Sequence, residues 1–171
     1  MIENKTSTTN LEGRLGDLRF EYGSMENLPD VMAVMESAFS KTYGESWNNN
    51  QCRSMLSLPG THLLLTWLDR KLLGFAICRA VAGEEELLMI AVAPQYRKLG
   101  IAALLLQKIT ERAEAENIEV IFLEVRSNNP AQSIYKRHGF KKIGIRADYY
   151  TGANKVKYDA ITYRKLLKSN H

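Results

Sequence analysis

The chain has 171 residues, of which 45% are hydrophobic and 25% charged, with a formal net charge of +4. That length fits one domain with a substantial core, and no apolar run approaches the roughly 18 residues of a membrane helix. The basic residues form no continuous run or aromatic-interleaved stripe, which argues against direct nucleic-acid binding, and Cys52 and Cys78 give neither a disulfide framework nor a metal-ligand spacing.

In chain order, residues 1–16 read as a disordered lead-in to a single domain over 17–168. Residues 1–10 are polar and lack an apolar signal region, so a cytoplasmic protein is expected. Residues 18–22 alternate weakly as a first strand. Ser24 or Asn27 caps a helix over 28–39, with Val31, Val34, Met35 and Ala38 on its apolar face. A second helix over 48–58 stops at Pro59-Gly60. Residues 63–68 and 72–81, joined through Asp69-Arg70-Lys71, read as a hairpin, and 84–93 as the next antiparallel strand.

A helix over 101–116 is expected to bury Ile101, Leu104, Leu105, Ile109 and Ala113. Residues 120–125 form a strand, and the crossover through that helix predicts parallel pairing with 87–93. Pro130 opens a short helix to 138. Residues 141–145 and 157–166 are the last strands. A mixed, twisted α/β sheet with helices on its faces follows. His62, His138 and His171 are scattered, with no metal site in view and a structural role expected for His138 at a helix end.

The most informative stretch, Val92 to Ala102, reads Val-Ala-Pro-Gln-Tyr-Arg-Lys-Leu-Gly-Ile-Ala. It lies between an apolar strand and the first turn of the long helix. Such a turn aims unpaired backbone N–H groups at one point, and the helix dipole adds positive potential. With Arg97 and Lys98 added, the loop favours an anionic, phosphorylated ligand. Neither common nucleotide-binding glycine motif is present.

The segment Arg97-x-x-Gly100-x-Ala102 resembles the acyl-CoA-binding loop of the GCN5-related N-acetyltransferases (GNAT). Downstream, Asn128, Ala131, Ile134, Tyr135, Gly139 and Phe140 are in step with that superfamily's N-x-x-A-x-x-[LI]-Y-x-x-x-G-F. A narrower resemblance also holds. Leu123-Glu124-Val125-Arg126 before Ser127-Asn128, then Arg146-Ala147-Asp148-Tyr149-Tyr150, are similar to signatures of the ribosomal-protein-alanine N-acetyltransferases (RimI type). One residue of L-E-V-R-x-S-N is missing here, and Tyr158-Asp159 stands where that group has Glu-Asp. Phe39, Ser40 and Trp47 loosely match the group's first loop.

The resemblance implies a GNAT fold with a largely antiparallel six- to seven-stranded sheet, about four helices, and two splayed parallel central strands. It implies acetyl-CoA bound by Ile90, Ala91, Val92, Arg97, Lys98, Leu99, Gly100, Ile101, Ala102, Asn128 and Tyr135. Acetyl transfer then goes directly to a primary amine, first of all the N-terminal α-amino group of a protein such as a ribosomal protein. A small-molecule transferase acting on polyamines or aminoglycosides, and a non-catalytic coenzyme A-binding module, are the alternatives. A monomer or weak dimer is expected, with no membrane partner.

Glu124 is the candidate base. A carboxylate inside Phe-Leu-Glu-Val is unusual in a parallel strand, and burial there would make it a stronger base. The opposing reading is a solvent-facing or Arg126-paired glutamate. Tyr135 is the candidate acid that protonates the departing sulfur, and Tyr149 and Tyr150 are candidate peptide contacts. Glu84, Glu85, Glu86 and Asp148 are acidic residues able to attract a basic substrate tail, or simply a hairpin turn.

Overall fold

The structure, a computed structural model, describes residues 13–40 and 42–167. Most of the expected lead-in, residues 1–12, and His171 lie outside the described residues. Residues 13–17 form a turn and a 3-10 turn at Leu15–Asp17, where Arg14 pairs with Asp17 at 3.1 Å and with Asp69 at 3.0 Å.

The strands are β1 (Arg19–Gly23), β2 (Thr61–Leu68), β3 (Lys71–Val81), β4 (Glu84–Val92), β5 (Val120–Arg126), β6 (Lys141–Thr151) and β7 (Lys157–Leu166). The helices are α1 (Leu28–Ala38), α2 (Asn49–Leu56), α3 (Ile101–Ala115) and α4 (Gln132–Arg137). Ser24 caps not α1 but a 3-10 turn at Met25–Asn27, in a reciprocal box with Asn27. Asn48 and Gln51 close a second such box at α2.

One seven-stranded sheet has the order β1-β2-β3-β4-β5-β7-β6. Every pairing is antiparallel except β4 with β5. Their parallel register runs only from Glu84↔Val120 to Leu87↔Leu123. Beyond it β4 stays on β3 as far as Val92↔Gly74, and β5 stays on β7 as far as Arg126↔Ala160. The two central strands therefore part. A register shift on β3, from Ile77↔Met89 to Cys78↔Leu87, sets Leu88 as a bulge where the parting begins. A bulge increases local twist and bends its strand.

Each face of the sheet carries a core. On one, Ile101, Leu105, Leu106 and Ile109 pack with Ile121, Leu123 and Val125. On the other, Val31, Met35 and Cys52 pack with Leu63, Leu65, Phe75 and Met89. Leu106 replaces the expected Leu104, which is only half-buried. At about 100° per residue, position 106 falls only about 20° beyond the arc of 101, 105, 109 and 113, while 104 falls about 60° outside its other edge.

The last hairpin departs further from expectation. β6 runs to Thr151, not 145, because it absorbs an irregularity between Arg146↔Ala160 and Tyr150↔Tyr158. Asp148 takes φ +54° there, and its N–H donates to Asp159 Oδ1 at 3.0 Å.

Glu85 is no part of an acidic surface. It is 1% exposed, lies 2.8 Å from His62 Nε2 and pairs with Arg112 of α3. The alternation of β4 turns it away from its neighbours Glu84 and Glu86. His62, Cys78 and Glu85 bring ligand-type atoms within 4.8 Å of one another, a grouping invisible in their sequence spacing. Arg112 already supplies a positive charge there, and burial holds the Cys78 thiol well above its ordinary value, with Glu85 adding to the effect.

Candidate active site

The turn after β4 provides the first wall. Leu99 and Ile101 are buried, 8% and 1% exposed, so they offer the loop only their backbone groups. Lys98 at φ +63° and Gly100 at φ +83° wind the chain into the start of α3. The first helical bond is Leu104 N–H to Gly100 O at 3.0 Å. The N–H groups of Ile101, Ala102 and Ala103 therefore have no carbonyl within the helix. A Cβ built on Gly100 would meet nothing within 4 Å. The side of Gly100 that a side chain would occupy is thus open, and unpaired donors stand beside it at the positive end of a 15-residue helix, a setting suited to a diphosphate.

Arg97 is turned elsewhere. Its Nε donates to Val92 O at 3.4 Å and its Nη2 to Ala38 O, which ties the loop to the end of α1. Lys98 is exposed at the loop.

The parted strands provide the second and third walls. Ile90, Ala91 and Val92 lie on β4 beyond its last pair with β5, so their β5 side carries no strand partner. Asn128 follows β5 and is exposed, its Oδ1 accepting from Arg126 Nη1. Tyr135 of α4 is 6% exposed, edge-on to Phe140 at 6.1 Å. Its hydroxyl makes no hydrogen bond among the described residues. Burial, with Glu45 and Tyr150 adding to it, holds this phenol well above its ordinary value, so it carries its proton at neutral pH.

Glu124 stands in the parted half of β5. Ile121, Leu123 and Val125 enter the α3–α4 core, so alternation turns Glu124 to the opposite face. It is not sealed in apolar surroundings, the condition that would have made it a stronger base, and lies nearer the opposing reading of a solvent-facing or arginine-paired glutamate. Its side chain is 20% exposed and bonded to Arg146 Nη1 at 3.0 and 3.1 Å. Thr162 Oγ1 donates to it at 3.4 Å. Its cationic partner is thus Arg146 rather than Arg126. Burial and the Glu124 charge together raise Glu86, which Arg79 and Arg146 oppose. A recess of about 260 Å³ lined by Arg79, Val81, Glu84, Glu86 and Phe122, among others, opens beside them.

Tyr149 and Tyr150 pack edge to face at 5.0 Å, carried outward by the β6 irregularity. Burial pushes Tyr150 up to about 12, with Glu45 and Glu124 contributing. Tyr43 and Glu45 were missed by sequence reasoning. They stand in the loop between α1 and α2, where no periodicity or motif marks them. Tyr43 packs on Tyr158 at 5.5 Å, and Glu45 lies 3.2 Å from Arg126 Nε.

A parallel strand pair that opens beside a donor-rich helix start, with a protonated tyrosine and a carboxylate at the opening, is the architecture of an acyl-CoA transferase. The sequence profile described as "Acetyltransferase (GNAT) family" matches residues 28–140, and the chain belongs to that family. It is an N-acetyltransferase.

Curated relatives carry one recurring name. The [ribosomal protein bS18]-alanine N-acetyltransferase of Escherichia coli K12 is 36% identical over 126 residues, 72% of this chain and 81% of that protein. The protein of that name from Haemophilus influenzae is 37% identical over 82 residues, 48% of this chain and 56% of that one. The putative Bacillus subtilis protein is 29% identical over 128 residues, covering 74% and 83%.

The fold matches the crystal structure of the E. coli ribosomal-protein-S18-alanine N-acetyltransferase with a TM-score of 0.82 at 24% identity, covering 90% of this chain and 96% of that one. It matches an N-acetyltransferase from Staphylococcus aureus Mu50 with a TM-score of 0.75 at 18% identity, covering 88% and 99%. Members of the GNAT family use acetyl-CoA. No helix among the described residues is long and apolar enough to cross a membrane.

Proposed function

We propose that this chain acetylates the α-amino group of a protein N-terminus, with acetyl-CoA as donor and a bS18-like ribosomal protein as acceptor. The observation that carries the reading is the parting of β4 and β5 after Leu87 and Leu123, with Gly100 at one end of the gap and Glu124 and Tyr135 at the other. The shared name of the relatives supports the choice of acceptor.

The residues present fit acetyl-CoA. The N–H groups of Ile101, Ala102 and Ala103 are free of helical partners beside the open side of Gly100, and Lys98 adds a cation for the diphosphate. When bound, the thioester supplies an activated acyl carbon and a departing sulfur. Backbone N–H groups of Ile90 to Val92 polarise the acyl oxygen as it gains charge. Asn128 holds the arm of the coenzyme.

An α-amino group loses its proton at a pKa of about 7.7–8.0, against about 10.4 for lysine. A partly exposed carboxylate is therefore base enough, and Glu124 takes that proton directly or through one water. Tyr135, kept protonated by its burial, gives its proton to the sulfur. Tyr149 and Tyr150 hold the acceptor backbone. Glu84 and Glu86, on the face shared with Glu124, favour a basic residue after the first.

The test is acetyl transfer to a peptide beginning Ala-Arg, read by mass spectrometry. Modification at the α-amine is expected. Turnover confined to a polyamine or an aminoglycoside, with none on any peptide, contradicts the reading.

A further inference from the structure

Arg126 lies two residues beyond Glu124, only 4% exposed, and no step of the reaction uses its charge. Taking a guanidinium out of water is costly unless its partners are well placed. Its partners come from separate segments. Nη1 donates to Asn128 Oδ1 at the end of β5. Nε and Nη2 lie 3.2 and 3.5 Å from the two oxygens of Glu45, in the α1–α2 loop. The guanidinium covers the Tyr43 ring at 3.6 Å and lies 5.7 Å from the Tyr158 ring on β7. Arginine's planar fork can stack and pair at the same time, and lysine's cannot.

The loop that carries Tyr43 and Glu45 crosses the acceptor end of the site as a strap. Ala153 N–H donates to Thr42 O at 3.0 Å. A Cβ on Gly44 would stand 2.5 Å from Thr151 O, and one on Gly152 would stand 2.3 Å from Thr42 O. The strap therefore lies directly on the β6–β7 turn, and both contacts need a glycine. Asn129 Nδ2 donates to Glu45 at 3.5 Å. The charge of Glu45 is felt by both Tyr135 and Tyr150.

We propose that Arg126 is a positioning residue that couples the two halves of the site, so that occupancy of the coenzyme arm beside Asn128 tightens the Tyr43–Glu45 strap over the acceptor. The argument is directional. With Oδ1 of Asn128 engaged by Arg126, its Nδ2 faces outward and can donate to a carbonyl of the coenzyme arm. That bond fixes Asn128, Asn128 fixes the guanidinium, and the ordering cost of holding Tyr43 and Glu45 falls. Coupling of this kind is reciprocal between the two ligands. The inference rests on the reading that Asn128 lines the coenzyme arm, and it does not depend on which amine is acetylated.

Hydrogen exchange of residues 42–47 in the full chain, with and without saturating coenzyme A, tests it in the wild type, R126Q and E45Q. Coenzyme A is expected to slow exchange about fivefold or more in the wild type and by less than about twofold in either variant. As a kinetic counterpart, E45Q raises the acceptor KM by about fivefold while kcat stays within about twofold.

Should R126Q fail to fold, E45Q, which leaves the guanidinium in place and keeps an acceptor oxygen beside it, carries the test alone. Equal slowing in the wild type and E45Q overturns the proposal. So does no slowing in a wild type shown by calorimetry to bind coenzyme A. No calorimetric binding at all overturns the coenzyme reading first, and the coupling with it.

Discussion

Arg146 Nη1 donates to both carboxylate oxygens of Glu124, at 3.0 and 3.1 Å, although the two strands are not neighbours. β7 lies between them, and its Thr162 reaches the same carboxylate at 3.4 Å. The candidate base thus rests against a cation that is itself 55% exposed and stacked on Tyr149 at 4.0 Å. Exposed pairs of this kind contribute little, because solvent screens them and two long side chains must be held in place. Arg146 is therefore cheap to displace, and an incoming ammonium can take its place.

Removing that competitor gives the first expectation. In R146A, the KM for an Ala-Arg peptide falls by no more than about fivefold, the equivalent of an exposed pair, and kcat changes little. Steady-state kinetics at low salt checks it. A large rise in KM would show that Arg146 holds the acceptor rather than competing with it.

Removing the base gives a larger effect. E124Q lowers kcat by about 100-fold, the usual scale of a lost general base. Alkaline pH restores part of the rate by deprotonating the amine in solution. Calorimetry is expected to show unchanged affinity for coenzyme A, because the diphosphate site proposed at Gly100 lies on another element. A full-rate mutant would remove Glu124 from the mechanism.

Tyr135 links catalysis to a pH window. Y135F is expected to lose about 100-fold in kcat while keeping its fold, since the ring still packs on Phe140. Burial raises Tyr135 above the ordinary phenol value near 10 and pushes Tyr150 up to about 12. The folded chain therefore holds these protons more tightly than the unfolded chain. Their contribution to stability is fully present below about pH 10 and is lost as pH rises toward 12. Alkaline unfolding followed by circular dichroism should show a shallower decline in Y135F than in the wild type. An identical decline contradicts the assignment.

Gly100 separates fold from binding. Its φ of +83° costs an alanine about 1–2 kcal/mol, but the added Cβ meets no protein atom. G100A should therefore lower the melting temperature modestly. Its loss of coenzyme A affinity should be the larger effect, because the methyl enters the space proposed for the diphosphate. Calorimetry beside thermal unfolding separates the two. An unchanged affinity would place the ligand elsewhere.

The elements around this site were legible in the sequence because their physics is local. The Gly100 turn, the apolar runs on either side of it and the step from Asn128 to Tyr135 are short-range patterns; periodicity yields the elements and their pairing, and the parting of the strands was expected only from the family resemblance those patterns carry. What escaped depends on contacts between distant segments. Glu124 was read as buried because Phe-Leu-Glu-Val is apolar, yet its exposure and its partner are set by Arg146, across β7 on a strand whose irregularity no periodicity announces. Arg97 was read as a phosphate ligand from its place in the loop, but a carbonyl at the end of α1, Ala38 O, takes its guanidinium. Glu45 and Tyr43 lie in a stretch without apolar alternation, and only the docking of that stretch on Gly152 and Arg126 gives them a place in the site.

The central claim is that one ligand spans from the amides at Gly100 to the gap between β4 and β5. A crystal structure with coenzyme A tests it most directly. The account predicts the diphosphate on the N–H groups of Gly100 to Ala102, the arm between Ile90 and Asn128, and the sulfur within hydrogen-bond reach of the Tyr135 hydroxyl. Strands closed over that gap, or a nucleotide bound away from Gly100, would contradict it.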